Sequence, residues 1–121
     1  MPTYSRQITF NSFEQGGFYV SPYHQEYDSS TEIRSPIIDV DFYNSKISVN
    51  CGNFQWSFVC FDSSGNFINI EESLGYKNSG DEIDISAYTQ AKKIRIELHS
   101  DNGIAPPQTC NLVYTVYYSW Y

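Results

Sequence analysis

Only seven lysines and arginines are spread along 121 residues, against fourteen aspartates and glutamates. The net charge of −7 argues against a nucleic-acid backbone as partner, because phosphate binding needs a basic patch. The sole basic grouping is Lys92-Lys93 with Arg95 nearby, and the acidic balance reads as a solubility device. Three cysteines, Cys51, Cys60 and Cys110, are too few and too odd in number for a disulfide scaffold. None has the CxxC spacing of a zinc site. The only histidines are His24, in a stretch without periodicity, and His99, on the polar face of a strand. Both read as solvated, and no serine near them sits in a nucleophile elbow. No apolar run approaches the roughly 18 residues of a membrane span. Nor does an apolar stretch follow basic residues at the N-terminus, so the expectation is synthesis in a cytoplasm without a signal peptide and no membrane partner. A glycine-rich phosphate loop is missing as well.

What is abundant is aromatic: eleven Tyr and eight Phe, far more than a disordered chain carries and well suited to pleated sheets. One domain spanning residues 1–121 is expected, since this length buries a core without staples. Residues 45–70 organise it. Ile47, Val49 and Cys51 fall on alternate positions, and Phe54, Trp56, Phe58 and Cys60 repeat the pattern. A period of two marks half-buried strands. Gly52-Asn53 then reads as a two-residue hairpin loop, pairing Cys51 with Phe54, Val49 with Trp56 and Ile47 with Phe58. In that register Cys60 lies about 20 Å from Cys51, six residues at roughly 3.3 Å each, too far for a disulfide. A partner for Cys110 stays open, and buried free thiols are the default. Asp62-Ser63-Ser64-Gly65-Asn66 signals a second turn, with Phe67 to Ile70 returning as a strand.

Elsewhere Glu14-Gln15-Gly16-Gly17 reads as a turn, and residues 21–31 and 71–80 as loops, the second with Tyr76 near its tip. Ile38, Val40 and Phe42 share a strand face. Ile94, Ile96 and Leu98 point inward, with Lys93, Arg95, Glu97 and His99 outward. Trp56, in step with Ile47, Val49 and Phe58, belongs to the core. About eight to ten short strands predict an all-β, antiparallel β-sandwich, with a jelly roll favoured over a barrel.

Carboxylates are plentiful at Asp39/Asp41, Glu71/Glu72 and Asp81/Glu82/Asp84, but outward acids are ordinary in an acidic domain. Without a cleft between two of them glycoside hydrolysis has no footing, and no enzyme is expected. Glu14 and Asp101 would meet if the chain ends pair, and a structural calcium ion is the metal such oxygens would take. No other cofactor is indicated. Sugar binding suits the composition best: aromatic rings cover the C–H face of a pyranose while polar side chains take its hydroxyls. Tyr23, Tyr27 and Tyr76, with Arg34 and Lys77 nearby, are the candidates. Residues 112–121 place aromatics on both strand faces, so Tyr114, Tyr117, Tyr118, Trp120 and Tyr121 are candidates for a protein interface. Association with a second copy is compatible with such a segment.

From Phe13 to Gly103 the chain resembles a domain recurrent in tail, baseplate and other virion proteins of phages of Gram-positive bacteria. The resemblance rests on Glu14-Gln15-Gly16-Gly17, Ser29-Ser30-Thr31-Glu32-Ile33-Arg34-Ser35, Phe58-Val59-Cys60-Phe61-Asp62-Ser63-Ser64-Gly65-Asn66-Phe67-Ile68, and Ala91-Lys92-Lys93-Ile94-Arg95-Ile96 leading to Ser100-Asp101-Asn102. It covers about three quarters of the sequence. It implies a jelly roll like that of carbohydrate-binding modules, located on a virion and contacting host cell-surface polysaccharide during adsorption. No ligand set is carried over from the family. The sequence differs in not being fused to a tail protein and in its aromatic segment, residues 109–121, after Pro107. These differences favour the alternative expectation, a structural piece (head decoration, neck or baseplate) that binds other virion proteins.

Overall fold

Alternation sends Ile47 and Val49 from one strand, and Trp56, Phe58 and Cys60 from the next, into a common interior where each is fully buried. The computed structural model describes residues 3–40 and 45–117. Within them the strands are β1 (Thr3–Phe10), β2 (Glu14–Gln15), β3 (Gly17–Tyr19), β4 (Gln25–Tyr27), β5 (Glu32–Arg34), β6 (Ile38–Asp39) and β7 (Ser45–Asn50). They continue as β8 (Gln55–Phe61), β9 (Phe67–Ile68), β10 (Lys77–Asn78), β11 (Ile83–Asp84), β12 (Lys93–His99) and β13 (Cys110–Tyr117). A single 3-10 turn, Glu71–Ser73, interrupts them. Thirteen segments exceed the expected eight to ten because many are pairs or triplets of residues; only β1, β7, β8, β12 and β13 reach six.

Two antiparallel sheets face each other. One runs β1-β13-β7-β11; the other runs β10-β8-β12-β5-β2, with β6 and β9 added to β12 and β8. The all-β sandwich is therefore as expected. Its core joins Ile47, Val49, Leu112 and Tyr114 of the first sheet to Ile33, Trp56, Phe58, Ile94, Ile96 and Leu98 of the second. Burying each such side chain contributes about 1.5–3 kcal/mol. Trp56 belongs here as its period implied, and its indole N–H donates to the Asn78 carbonyl at 2.9 Å.

The expected β7–β8 hairpin is corrected. The two strands lie in different sheets: Val49 stands opposite Leu112, and Trp56 opposite Leu98. Residues 51–54 make a corner between layers, closed by the Phe54 N–H to the Cys51 carbonyl at 3.2 Å. Period two describes apolar faces that meet across a core as well as faces side by side, so the pattern alone did not choose between them. The second turn forms as read, pairing Cys60 with Ile68 and Phe61 with Phe67. All three cysteines are free and buried. Phe42 lies outside the described residues.

A third layer was not foreseen. Residues 14–15 and 25–27, read as turn and loop, are strands, and β3 with β4 forms a separate two-stranded sheet. Phe18 of that hairpin packs on Val59 and Phe61 of β8, with Val20 and Phe67 alongside, as a second apolar cluster. The hairpin thus covers part of the polar face of β12.

Candidate functional site

Two arginines clamp the hairpin to the sheet. Arg34 donates from Nε to Glu14 at 2.5 Å and from Nη1 to the carbonyls of Gly17 and Tyr27 at 2.9 and 3.2 Å. Arg95 donates to Glu14 at 2.5 Å, to Glu26 on β4, and from Nε to the Ser35 carbonyl at 2.6 Å. These guanidiniums hold both carboxylates below their ordinary range, Glu14 chiefly through Arg34 and Glu26 chiefly through Arg95. His24, read as solvated, instead packs its ring edge-on against Phe18 and Phe61 at 5.5 and 5.3 Å. Burial pushes its pKa down, and its Nε2 has no hydrogen-bond partner.

Beside the clamp lies a buried acidic pair. Glu32 and Glu97, 6% and 2% exposed, sit on adjacent strands β5 and β12, where His99 is the residue directly opposite Glu32. Tyr76 donates its hydroxyl to Glu32 and lies 3.3 Å from Glu97. Burial, reinforced by the Glu32 charge, pushes Glu97 up to about 9. Tyr76 and Tyr27 are raised too, first by burial and then by the Glu32 carboxylate. His99 also corrects the surface reading. It stacks on Tyr76, bonds Asp101 through Nε2 at 2.8 Å, and leaves Nδ1 unpartnered, 3.8 Å from Glu32.

Glu97 forms part of the floor of a cleft of about 220 Å³ between the β3–β4 hairpin and the turn at residues 74–76. Ser57 lies in the same floor, while Tyr19 and Val20 form one wall and Leu74 and Tyr76 the other. The walls are apolar yet open to solvent: Tyr19 is 49% exposed, Leu74 56% and Tyr76 39%. Behind Tyr19 stand Tyr23 and Tyr27, ring centroids 5.6 and 5.0 Å away. Apolar walls over a small polar floor are the usual build of a small-ligand site, and this size suits one ring rather than a long chain. A second cavity, also about 220 Å³, adjoins Arg34 and Arg95, whose charges are already matched by Glu14 and Glu26.

No protein-family model and no curated protein matches the chain. The crystal structure of SPBc2 prophage-derived protein YomS superposes on 96% of this chain and 95% of that one, with a TM-score of 0.44 and 9% identity. That likeness is too loose to fix fold or function.

Of the residues singled out for sugar contact, Tyr76 lines the cleft, and Tyr23 and Tyr27 belong to the aromatic group behind it. Arg34 and Lys77 are placed otherwise. Arg34 is engaged in the clamp. Lys77 is buried, donating to the Leu74 and Gly75 carbonyls at 3.1 and 2.8 Å and lying 5.4 Å over the Phe58 ring. Burial lowers its pKa to about 8, so its role is to shape the turn that carries Leu74 and Tyr76. Glu14 and Asp101 have different partners, the two arginines for Glu14 and His99 for Asp101. Among the described residues no group of three or more His, Cys, Asp or Glu is placed to hold a metal ion. Tyr114 faces the core at 2% exposure, which corrects its place in an exposed patch. Only the backbone of Tyr117 is described, opposite Thr3, and Tyr118, Trp120 and Tyr121 lie outside the described residues. Tyr19, Leu74, Ser57 and Glu97 were missed. The run Phe58-Val59-Cys60-Phe61 held the signal, since a strand apolar at every position is covered on both faces.

Proposed function

We propose that this domain is a non-catalytic, carbohydrate-binding jelly roll of a phage virion that contacts host cell-wall polysaccharide through the Tyr19–Tyr76 cleft. The observation that supports it most is the pair of solvent-open apolar walls over a polar floor of Ser57 and Glu97. Such walls match the C–H face of a pyranose and the floor its hydroxyls. The phage setting rests on the sequence resemblance across residues 13–103. The test is a panel of purified host polysaccharides titrated against protein whose fold is verified by circular dichroism. Saturable binding to at least one glycan is expected, weakened about fivefold or more by Tyr19→Ala. A panel without any binding overturns the proposal.

One observation favours a second reading, assembly with other virion proteins. Among the described residues β1 pairs only with β13, so a strand of eight residues leaves one backbone edge open to a partner strand. Removing residues 118–121, which follow β13, tests the terminal part of that reading. Loss of incorporation into particles supports it, and normal incorporation removes the aromatic end from the interface. Deleting residues 109–121 would not serve, because β13 is held between β1 and β7.

A further inference from the structure

Among the described residues no lysine or arginine bonds the acidic pair under the cleft. The guanidinium of Arg34 bonds Glu14, Gly17 and Tyr27, and that of Arg95 bonds Glu14, Glu26 and Ser35. The Lys77 ammonium is bonded to two carbonyls of its own turn. His99, the remaining basic group near Glu32, stands 3.8 Å from it, beyond hydrogen-bond reach. The groups that do face Glu97 are Glu32, the Tyr76 hydroxyl and the Phe18 backbone. The other oxygen of Glu32 lies against Gly17, outside the lining of the cleft. It is buried and has no hydrogen-bond partner, although the residue is 6% exposed. Burying both charges at once is costly, so the folded chain keeps a proton on Glu97, and a ligand that brings a cation to the cleft floor takes that proton's place.

We propose that the glycan taken by this cleft carries a free primary amine, an amino sugar whose ammonium is bound at Glu97. This deepens the glycan-binding reading and rests on it. A sugar hydroxyl offers one donor, whereas an ammonium offers three and a charge, which lets Glu97 ionise inside a site now closed by the ligand. The pyranose ring lies between Tyr19 and Tyr76 while the amine reaches the floor. Long-range attraction follows from the net charge of −7, which also disfavours glycans carrying phosphate or carboxylate. A lysine side chain has the same ammonium but lacks the rigid ring that the two walls fit.

Calorimetry on the full chain at about pH 6.5, where the amine is protonated, compares the glucosamine trimer with its N-acetylated form and with N-acetyl-lysine amide. The amine trimer is expected to bind at least about tenfold tighter than either, the worth of one charge-assisted hydrogen bond. In Glu97→Gln that preference, read as the ratio of the two trimer affinities in the same variant, falls to about twofold or less. Equal affinity of the two trimers overturns the amine assignment and leaves the glycan reading standing. Binding of the lysine derivative as tightly as the amine trimer overturns the sugar as the source of the amine. Failure of both trimers overturns the inference, and only an empty polysaccharide panel as well overturns the glycan reading. The wild-type comparison decides the matter without the variant.

Discussion

The Tyr76 ring lies nearly parallel to the His99 imidazole, with centroids 4.0 Å apart and planes inclined by 14°. The stack fixes one wall of the cleft over the end of β12, and the Tyr76 hydroxyl ties that wall to Glu32. Stack and hydrogen bond are separable. Tyr76→Phe keeps the ring and removes the donor, leaving a buried carboxylate with less support. A loss of about 1–3 kcal/mol in urea unfolding is expected. A loss under about 0.5 kcal/mol would show that Glu32 does not depend on this hydroxyl.

Gly16 joins β2 to β3 at φ +127°, where a side chain is strained, and a Cβ there would also come within 2.8 Å of the Tyr27 carbonyl. The hairpin that covers Arg95 and Glu97 therefore depends on a residue without a Cβ. Gly16→Ala is expected to cost about 1–3 kcal/mol and to speed hydrogen exchange in residues 17–27 more than in β7 or β13. Uniform acceleration across both sheets would mean that the hairpin does not open as a unit.

The sandwich was legible because Ile47, Val49, Trp56, Phe58, Ile94, Ile96 and Leu98 each obey the same alternation and each reach the core. What alternation does not carry is the partner of each strand, so β7 and β8 were joined in one sheet when they face each other. The third layer was less legible still. Arg95 and Glu97 sit on alternate polar positions, which ordinarily face water, yet a hairpin made of residues 17–27 covers them. The docking of that hairpin is set by charge pairing between distant segments, Glu14 and Glu26 with Arg34 and Arg95, and separation along the chain hides such pairing. Tyr76 was recognised at a loop tip because exposure there is local. Tyr19 was not, because its exposure depends on where the hairpin docks.

Cys51, Cys60 and Cys110 offer a direct check on the layers. All are buried, and burial raises each thiol, Cys51 to about 11 and Cys110 to about 12. Thiolate is the reactive form, so a chromogenic disulfide reagent at about pH 8 should find no reactive thiol in the native protein. In denaturant it should find all three. Fast native reaction of one or more would place that cysteine outside the core.

The same buried acid sets a pH dependence whose direction can be worked out. Glu97 is raised from 4.5 to about 9, so between those values the native state holds a proton that the unfolded chain has lost. Stability from this group is fully present below about 4.5 and declines as pH rises towards 9, by at most about 1.4 kcal/mol per pH unit. Other effects oppose it over parts of the range. Glu14 and Glu26 have lowered pKa values, so their contribution fades only as pH falls below the ordinary carboxylate range, and gently, because both are substantially exposed. Lys77, lowered from 10.5 to about 8, adds stability with rising pH only above about 8. His24, whose pKa burial pushes below 6.5, adds stability as pH rises to about 6.5, so the window that isolates Glu97 runs from about pH 7 to about pH 8. Urea midpoints should fall across it in the wild type and stay nearly level in Glu97→Gln. A wild-type midpoint that holds steady or rises through this window would mean that Glu97 is already ionised in the folded protein, with a cation reaching it in the absence of any sugar.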